Sequence, residues 1–151
     1  MTLHTCYMNS PIGWIELQAT ATHLCHACWV EQPVMQPAPA TLLLQEAVRQ
    51  LEEYFSGIRR QFDLPLQQSG TPFQQKIWEE LLRIPYGERI TYQELATRAG
   101  HPGACRAAGS ANGCNGIFII VPCHRVIQSG GKVGGYAYGT AMKQFLLDLE
   151  S

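Results

Sequence analysis

The amino-acid sequence predicts an α+β chain. A small N-terminal sheet-and-helix domain covers residues 1–70, and a helical C-terminal domain with a helix-turn-helix covers residues 71–151. Three observations predict this division. Apolar and polar residues alternate after the turn signal Ser10-Pro11-Ile12-Gly13, within a stretch to Val30 that reads as strands. The apolar spacing becomes helical after Thr71. Between the two patterns, Gln67–Gly70 is polar and reads as a linker.

The elements follow in order. Trp14-Ile15-Glu16-Leu17 alternates as a strand, and Leu24–Val30 is its predicted partner. Glu31–Ala40 carries Pro33, Pro37 and Pro39 and reads as a loop. Leu43, Ala47, Leu51, Tyr54 and Phe55 recur at helical spacing up to Gly57, and Phe62–Leu66 is a further candidate strand. Thr71-Pro72 opens a helix with the stripe Phe73, Ile77, Leu81 and Leu82, which Pro85-Tyr86-Gly87 ends. Thr91 and Glu94 form a T-x-x-E capping box for a helix that Gly100 stops. Another helix follows His101-Pro102 and runs to about Asn112, completing the helix-turn-helix. It is rich in small residues (Ala104, Ala107, Ala108, Gly109, Ala111), which suits close helix packing and close approach to another surface equally. The apolar run Ile117–Val121 reads as a buried strand leading to Pro122-Cys123-His124-Arg125-Val126. A glycine-rich loop surrounds Tyr136. Thr140 then caps a last helix with the stripe Met142, Phe145, Leu146 and Leu149.

Composition narrows the function classes. With 46% hydrophobic and 15% charged residues, the chain has material for a core and too little charge for disorder. No apolar run approaches the ~20 residues that span a bilayer, and no basic start precedes a long apolar stretch. A soluble, intracellular protein without a membrane partner is expected. Net charge is −1, which argues against a general nucleic-acid binder. Residues 83–132, however, hold six basic groups (Arg83, Arg89, Arg98, Arg106, Arg125, Lys132) against Glu88 and Glu94. That stretch is either ordinary solvated surface or the place where a polyanion would be met. Six cysteines without an export signal read as reduced thiols.

Cys123 is the residue best placed for chemistry. A thiol attacks as thiolate, and His124 and Arg125 are the residue types that stabilise one. From the pattern alone, a buried structural cysteine and a nucleophile are both open readings.

The block Pro122-Cys123-His124-Arg125-Val126, with a helix-turn-helix before it and a glycine loop after it, resembles the O6-alkylguanine-DNA alkyltransferase family. The likeness is strong from Thr71 to Glu150; before Gly70 it rests mainly on Ser10-Pro11-Ile12-Gly13. It implies a ribonuclease H-like N-terminal domain and a winged-helix-like C-terminal one. It also implies stoichiometric, irreversible transfer of an alkyl group from O6 of guanine in double-stranded DNA, without cofactor or metal. By the same resemblance, Cys123 accepts the alkyl group, His124 acts on it as base through a water, and Glu150 orients His124. Asn115 is the hinge between the reading helix and the active-site segment. Arg106, in Arg106-Ala107-Ala108-Gly109, takes the place of the extruded base, and Tyr92 rotates the 3′ phosphate. Tyr136 hydrogen-bonds the guanine, and the backbone from Val126 to Val133 lines its pocket. Ala104, Ala107 and Gly109 share the DNA-facing helix with Arg106. Extrusion is physically required, because the alkylated atom lies inside a duplex, and a bare helix suits a narrow minor groove.

Two positions depart from the family pattern. Gly116 stands where proline usually follows the hinge asparagine, and Tyr138-Gly139 stands where two glycines are common. A tyrosine at the pocket wall predicts preference for methyl over benzyl-type adducts. Cys25-x-x-Cys28, near Cys6, His4, His23 and His26, offers zinc-type ligands, but a strand would put Cys25 and Cys28 on opposite faces, which favours ordinary thiols. The competing functions are an alkylated-DNA-binding protein without chemistry, whose relatives replace the cysteine; a helix-turn-helix regulator, which would read bases through polar side chains; and a cysteine hydrolase. A monomer is the default expectation, and a repair protein of this kind works where the DNA is, in the cytoplasm or in a nucleoid or nucleus.

Overall fold

A computed structural model of the chain describes residues 2–34 and 40–151. Pro37 and Pro39 of the expected loop lie outside the described residues. The chain divides into two compact units, Met1–Gln68 and Ser69–Ser151.

The first unit is an antiparallel meander, β1 (His4–Ser10), β2 (Gly13–Ala19) and β3 (Leu24–Val30), with one helix, α1 (Leu42–Phe55). Gly13 takes a φ of +106°, which an L side chain rarely adopts, and Ser10 Oγ donates to its carbonyl at 2.7 Å, closing the β1–β2 turn. Alternation sets the faces: Cys6, Met8, Ile15, Leu17 and Ala27 are buried with Leu44, Ala47, Leu51 and Tyr54 of α1. Glu16, His26 and Cys28 occupy the opposite face.

Phe62–Leu66 does not form the expected strand; only Leu66 bridges Leu24. Two causes are visible. Pro65 has no N–H to donate. Gln50 on α1 occupies both backbone polar groups of Asp63, accepting from its N–H at 2.9 Å and donating to its carbonyl at 3.0 Å.

The second unit opens with α2 (Pro72–Leu81), where Thr71 and Gln74 cap each other reciprocally. A parallel pair, β4 (Ile90–Thr91) with β5 (Val126–Ile127), fixes the start of α3 (Tyr92–Arg98), and α4 (Cys105–Gly113) follows a tight turn. Only half of the Thr91 capping box forms. Thr91 Oγ1 accepts from Glu94 N at 3.1 Å, while the Glu94 carboxylate accepts from Arg98 one turn on. Ala108 and Ala111 of α4 are buried, and Trp78 Nε1 donates to Ala111 O at 2.9 Å, so one face of the small-residue helix packs closely on its neighbours. Arg106 and Ala107 are exposed.

Three expectations need correcting. Ile117–Val121 is buried but is not a strand. It curls on itself, with Val121 N donating to Ile117 O at 3.0 Å and Ile119 at a φ of +68°. An unbroken apolar run signals burial without specifying backbone shape. The last helix, α5 (Thr140–Leu149), starts from Gly139, and Thr140 makes no capping bond. Its buried residues are Lys143, Leu146 and Leu147, with Phe145 40% exposed. On α2, likewise, Leu82 is exposed and Trp78 and Glu80 are buried.

Candidate active site

Cys123 opens a single 3₁₀ turn, Cys123–Arg125, immediately after the curled apolar segment. All three residues of the turn are buried. Asn115 holds the curl together: its Nδ2 donates to Val121 O at 2.8 Å, and its Oδ1 accepts from Ile117 N at 3.1 Å. The backbone just before Cys123 is thereby fixed by one side chain.

Behind the cysteine lies a buried charge cluster. His124 Nε2 meets Glu150 Oε2 at 2.7 Å. Arg125 donates to the same carboxylate through Nε at 2.8 Å and Nη2 at 3.0 Å, and through Nη1 to Ile84 O at 2.6 Å. Burial acts to raise the Glu150 carboxyl, but the hydrogen bonds and charges of His124 and Arg125 outweigh it and hold the group well below the usual carboxylate range. Burial pushes His124 down, against the pull of Glu150. An ionised carboxylate only accepts, so Nε2 carries the imidazole proton and Nδ1 is left as a bare acceptor. Nδ1 is buried and has no hydrogen-bond partner. The cluster thus holds a neutral imidazole with a basic nitrogen in a fixed tautomer.

On the other side, Cys123 meets a cavity of about 460 Å³. Asn115, Phe118, Tyr136 and Tyr138 line it, together with Tyr92 and Gly109 from α3 and α4. Phe118 and Tyr138 stand edge to face at 5.2 Å between centroids, and Tyr138 and Tyr136 at 5.7 Å. Burial pushes the Cys123 thiol up, while hydrogen bonds from Asn115 and Tyr136 and the charge of Lys143 pull it down. All six cysteines are free thiols.

The glycine loop closes the cavity. Gly134 has a φ of +80°, which an L side chain rarely adopts, and a Cβ there would lie 3.1 Å from Gln128 Cγ and 3.4 Å from the Tyr92 hydroxyl, so a side chain would press on Gln128 and touch Tyr92. Lys143 is wholly buried beneath the loop, donating to Gly135 O at 3.1 Å and Tyr92 Oη at 3.4 Å. Burial brings it down to about 8.

Two family models match the chain. One describes the ribonuclease-like domain of 6-O-methylguanine DNA methyltransferase and matches residues 3–68; the other describes the DNA binding domain of the same protein and matches residues 72–151. The chain belongs to the 6-O-methylguanine DNA methyltransferase family. A Methanosarcina acetivorans protein named methylated-DNA–protein-cysteine methyltransferase is 55% identical over 153 residues, covering 98% of each chain. A Methanosarcina barkeri protein of the same name is 47% identical over 148 residues, covering 95% of this chain and 94% of its own. The solved Mycobacterium tuberculosis OGT in complex with DNA is similar at a TM-score of 0.91 and 45% identity, covering 97% of this chain and 92% of that one.

Within this methyltransferase chain, the expected residues divide by place. Cys123, Asn115, Tyr92, Gly109, Tyr136 and Tyr138 meet at the cavity. His124 and Glu150 form the buried pair behind it. Val126 and Val133, expected along the cavity wall, are not among its lining residues. Val126 is sealed in β5 against Ile90, and Val133 lies half-buried before Gly134. Ala104, Arg106 and Ala107 sit at the start of α4, outside the lining.

Sequence reasoning missed Lys143 and the role of Arg125. Arg125 was signalled by its place in the five-residue block. Lys143 carried no signal, since a lysine on a surface-like helix position is ordinarily solvated. The basic stretch also offers less free charge than its composition suggests. Arg83 and Arg98 pair with Glu80 and Glu94, and Arg125 is buried on Glu150. Arg89, Arg106 and Lys132 are exposed and in no ion pair among the described residues.

Proposed function

We propose that this chain repairs DNA directly, by moving an alkyl group from O6 of a guanine in double-stranded DNA onto Cys123, once per molecule. Its activity is that of a methylated-DNA–protein-cysteine methyltransferase. The observation that carries the reading is the division of space around Cys123: a neutral, tautomer-fixed imidazole behind the sulfur and a half-open aromatic cavity in front of it.

The chemistry follows from those groups. The Cys123 thiol gives its proton to His124 Nδ1 through a bridging water, and Glu150 stabilises the imidazolium that results. The thiolate attacks the alkyl carbon; the S–C bond forms as the C–O6 bond breaks. The electron pair left on O6 makes guanine an anion until it is protonated. The hydrogen bond to the base falls to Tyr136, which lines the cavity, and the Tyr92–Lys143 pair is a second nearby source of a proton. The product thioether has no hydrolytic exit, so no turnover follows.

Access to the base is assigned to α4. Arg106 fills the gap left by the extruded nucleotide, while Ala104, Ala107 and Gly109 allow close approach to the groove. Tyr92 meets the backbone phosphate, and Asn115 couples the helix to the Cys123 turn. The partner is duplex DNA carrying O6-alkylguanine, met by a monomer wherever the DNA is held. Among the described residues no helix is long and apolar enough to cross a membrane.

Intact mass after mixing with a duplex containing one O6-methylguanine tests this. One methyl mass, about 14 Da, is expected on Cys123, with no further rounds, and Cys123→Ser should bind without gaining mass. Binding with unchanged mass under reducing conditions would replace this reading with that of a damage-binding protein.

A further inference from the structure

Asn112 stands near the end of α4, on the wall of the Cys123 cavity that Gly109 and Gly113 also line. It is 6% exposed. Its Nδ2 donates to Cys123 O at 3.3 Å, so the amide lies against the backbone of the reacting residue. Its Oδ1 is sealed from solvent and accepts no hydrogen bond among the described residues. A buried amide oxygen without a donor is costly, and few folded chains keep one without a use for it.

We propose that Asn112 Oδ1 accepts from the exocyclic 2-amino group of the extruded base, and so selects an alkylated purine that carries that amine. The inference rests on the alkyl-transfer reading and extends it to the edge of the base. An alkyl group on O6 leaves N1 without a proton. The Watson–Crick edge then offers O6 and N1 as acceptors and the 2-amino group as its one donor. The amine and O6 flank N1 on that edge. A base with its alkyl carbon at the Cys123 sulfur therefore carries the amine to the neighbouring wall.

The other polar groups of the cavity cannot make this choice. Asn115 is committed at both ends of its amide to the curl before Cys123. The hydroxyls of Tyr92 and Tyr136 can donate or accept, so neither rejects a base for lacking a donor. Gln128 is exposed, and its amide turns freely between the two roles. Asn112 differs because Nδ2 is held by Cys123 O, which leaves Oδ1 as the end that must find a donor. At 3.3 Å that bond is longer than the usual ~2.9–3.0 Å, so the amide is free to shift toward an incoming amine. Gly109 and Gly113 have no side chains to come between the amide and a bound ring. In a site closed to water, the bond gained by a base with the amine is worth more than it would be in solution.

O6-methylguanine and O6-methylhypoxanthine differ only in the 2-amino group. Each is placed opposite an abasic site in a duplex, so that no pairing partner biases extrusion, and methyl transfer to Cys123 is followed by intact mass. The parent chain is expected to react at least about tenfold faster with O6-methylguanine. Asn112→Leu keeps the branched shape and removes both polar atoms. It should lose rate on O6-methylguanine and bring the ratio close to one. Asn112→Asp keeps an acceptor, so it should retain a preference for O6-methylguanine, even if its added charge slows both reactions by disfavouring the thiolate. The ratio cancels any common effect of a variant on folding or on the thiol. Equal rates in the parent chain, or a ratio unchanged in Asn112→Leu, would overturn the assignment and leave Oδ1 to packing. Transfer from neither substrate in the parent chain would overturn the repair reading, and this inference with it.

Discussion

Glu150 accepts from His124 Nε2 at 2.7 Å with both side chains sealed from solvent, and the same carboxylate is gripped by Arg125. The arrangement places one negative charge between a neutral ring and a guanidinium. Its net charge is balanced only while Glu150 is ionised.

Glu150→Gln removes that balance and leaves the Arg125 charge buried without a counterion. A loss of about 3–5 kcal/mol in unfolding free energy is expected, measured by denaturant titration. Alkyl transfer should also slow, because an amide accepts from Nε2 less strongly and stabilises an imidazolium poorly. A variant as stable as the parent would contradict the account of the cluster.

The same residues fix the sign of the pH dependence. His124 and Glu150 are both lower in the folded chain than when unfolded, so the unfolded chain binds more protons over that range. Their stabilisation is complete above the unfolded histidine value, about 6.5, and declines as pH falls, first through His124 and then below about 4.3 through Glu150. Thermal midpoints across pH 2–8 should therefore drop on acidification, and in Glu150→Gln the part of that drop below about pH 4.3 should shrink.

Much of this cluster was legible in the sequence, and its limits are physical. Cys123, His124 and Glu150 were marked by a block and a spacing, and Ser10–Gly13 by turn chemistry. The backbone around Ile117–Val121 was not legible. Five consecutive buried apolar residues have no periodicity to read, and what bends them is Asn115, whose side chain replaces strand partners for Ile117 and Val121. Lys143 was missed for the converse reason: helical spacing assigned the buried stripe to its neighbours, while the carbonyl of Gly135 and, 51 residues away, the hydroxyl of Tyr92 help to make its burial tolerable.

Lys143 supplies the positive charge that favours a Cys123 thiolate. Lys143→Met keeps the volume and removes the charge. The pH–rate profile for Cys123 alkylation by a small haloacetamide should move to higher pH, with roughly tenfold slower reaction at pH 7 for each unit of displacement. Folding stability should hold or rise, since a buried charge is exchanged for an apolar chain. An unmoved profile would assign Lys143 to packing alone.

Tyr138 sets the width of the cavity through its edge-to-face contact with Phe118. Replacing it by glycine removes a ring from the wall without touching Cys123, His124 or Glu150. The ratio of benzyl to methyl transfer rates should rise at least tenfold in Tyr138→Gly, measured by mass gain on duplexes carrying each adduct. Equal rates for both adducts in the parent chain would refute the preference for small groups.

Arg106 is exposed at the first turn of α4, with no acidic neighbour neutralising it among the described residues. Two roles for it make different predictions. A phosphate contact contributes to binding of any duplex, and its loss lowers the slope of log affinity against log salt by about one. A side chain occupying the space of an extruded base contributes only when a base is out. Arg106→Ala is therefore expected to slow repair of O6-methylguanine in duplex DNA far more than it weakens binding to undamaged duplex. The same substitution should matter little for free O6-methylguanine, which needs no extrusion. If repair and undamaged-DNA affinity fell in parallel, with the salt slope reduced, Arg106 would be a backbone anchor, and the extruding group would have to be sought elsewhere on α4.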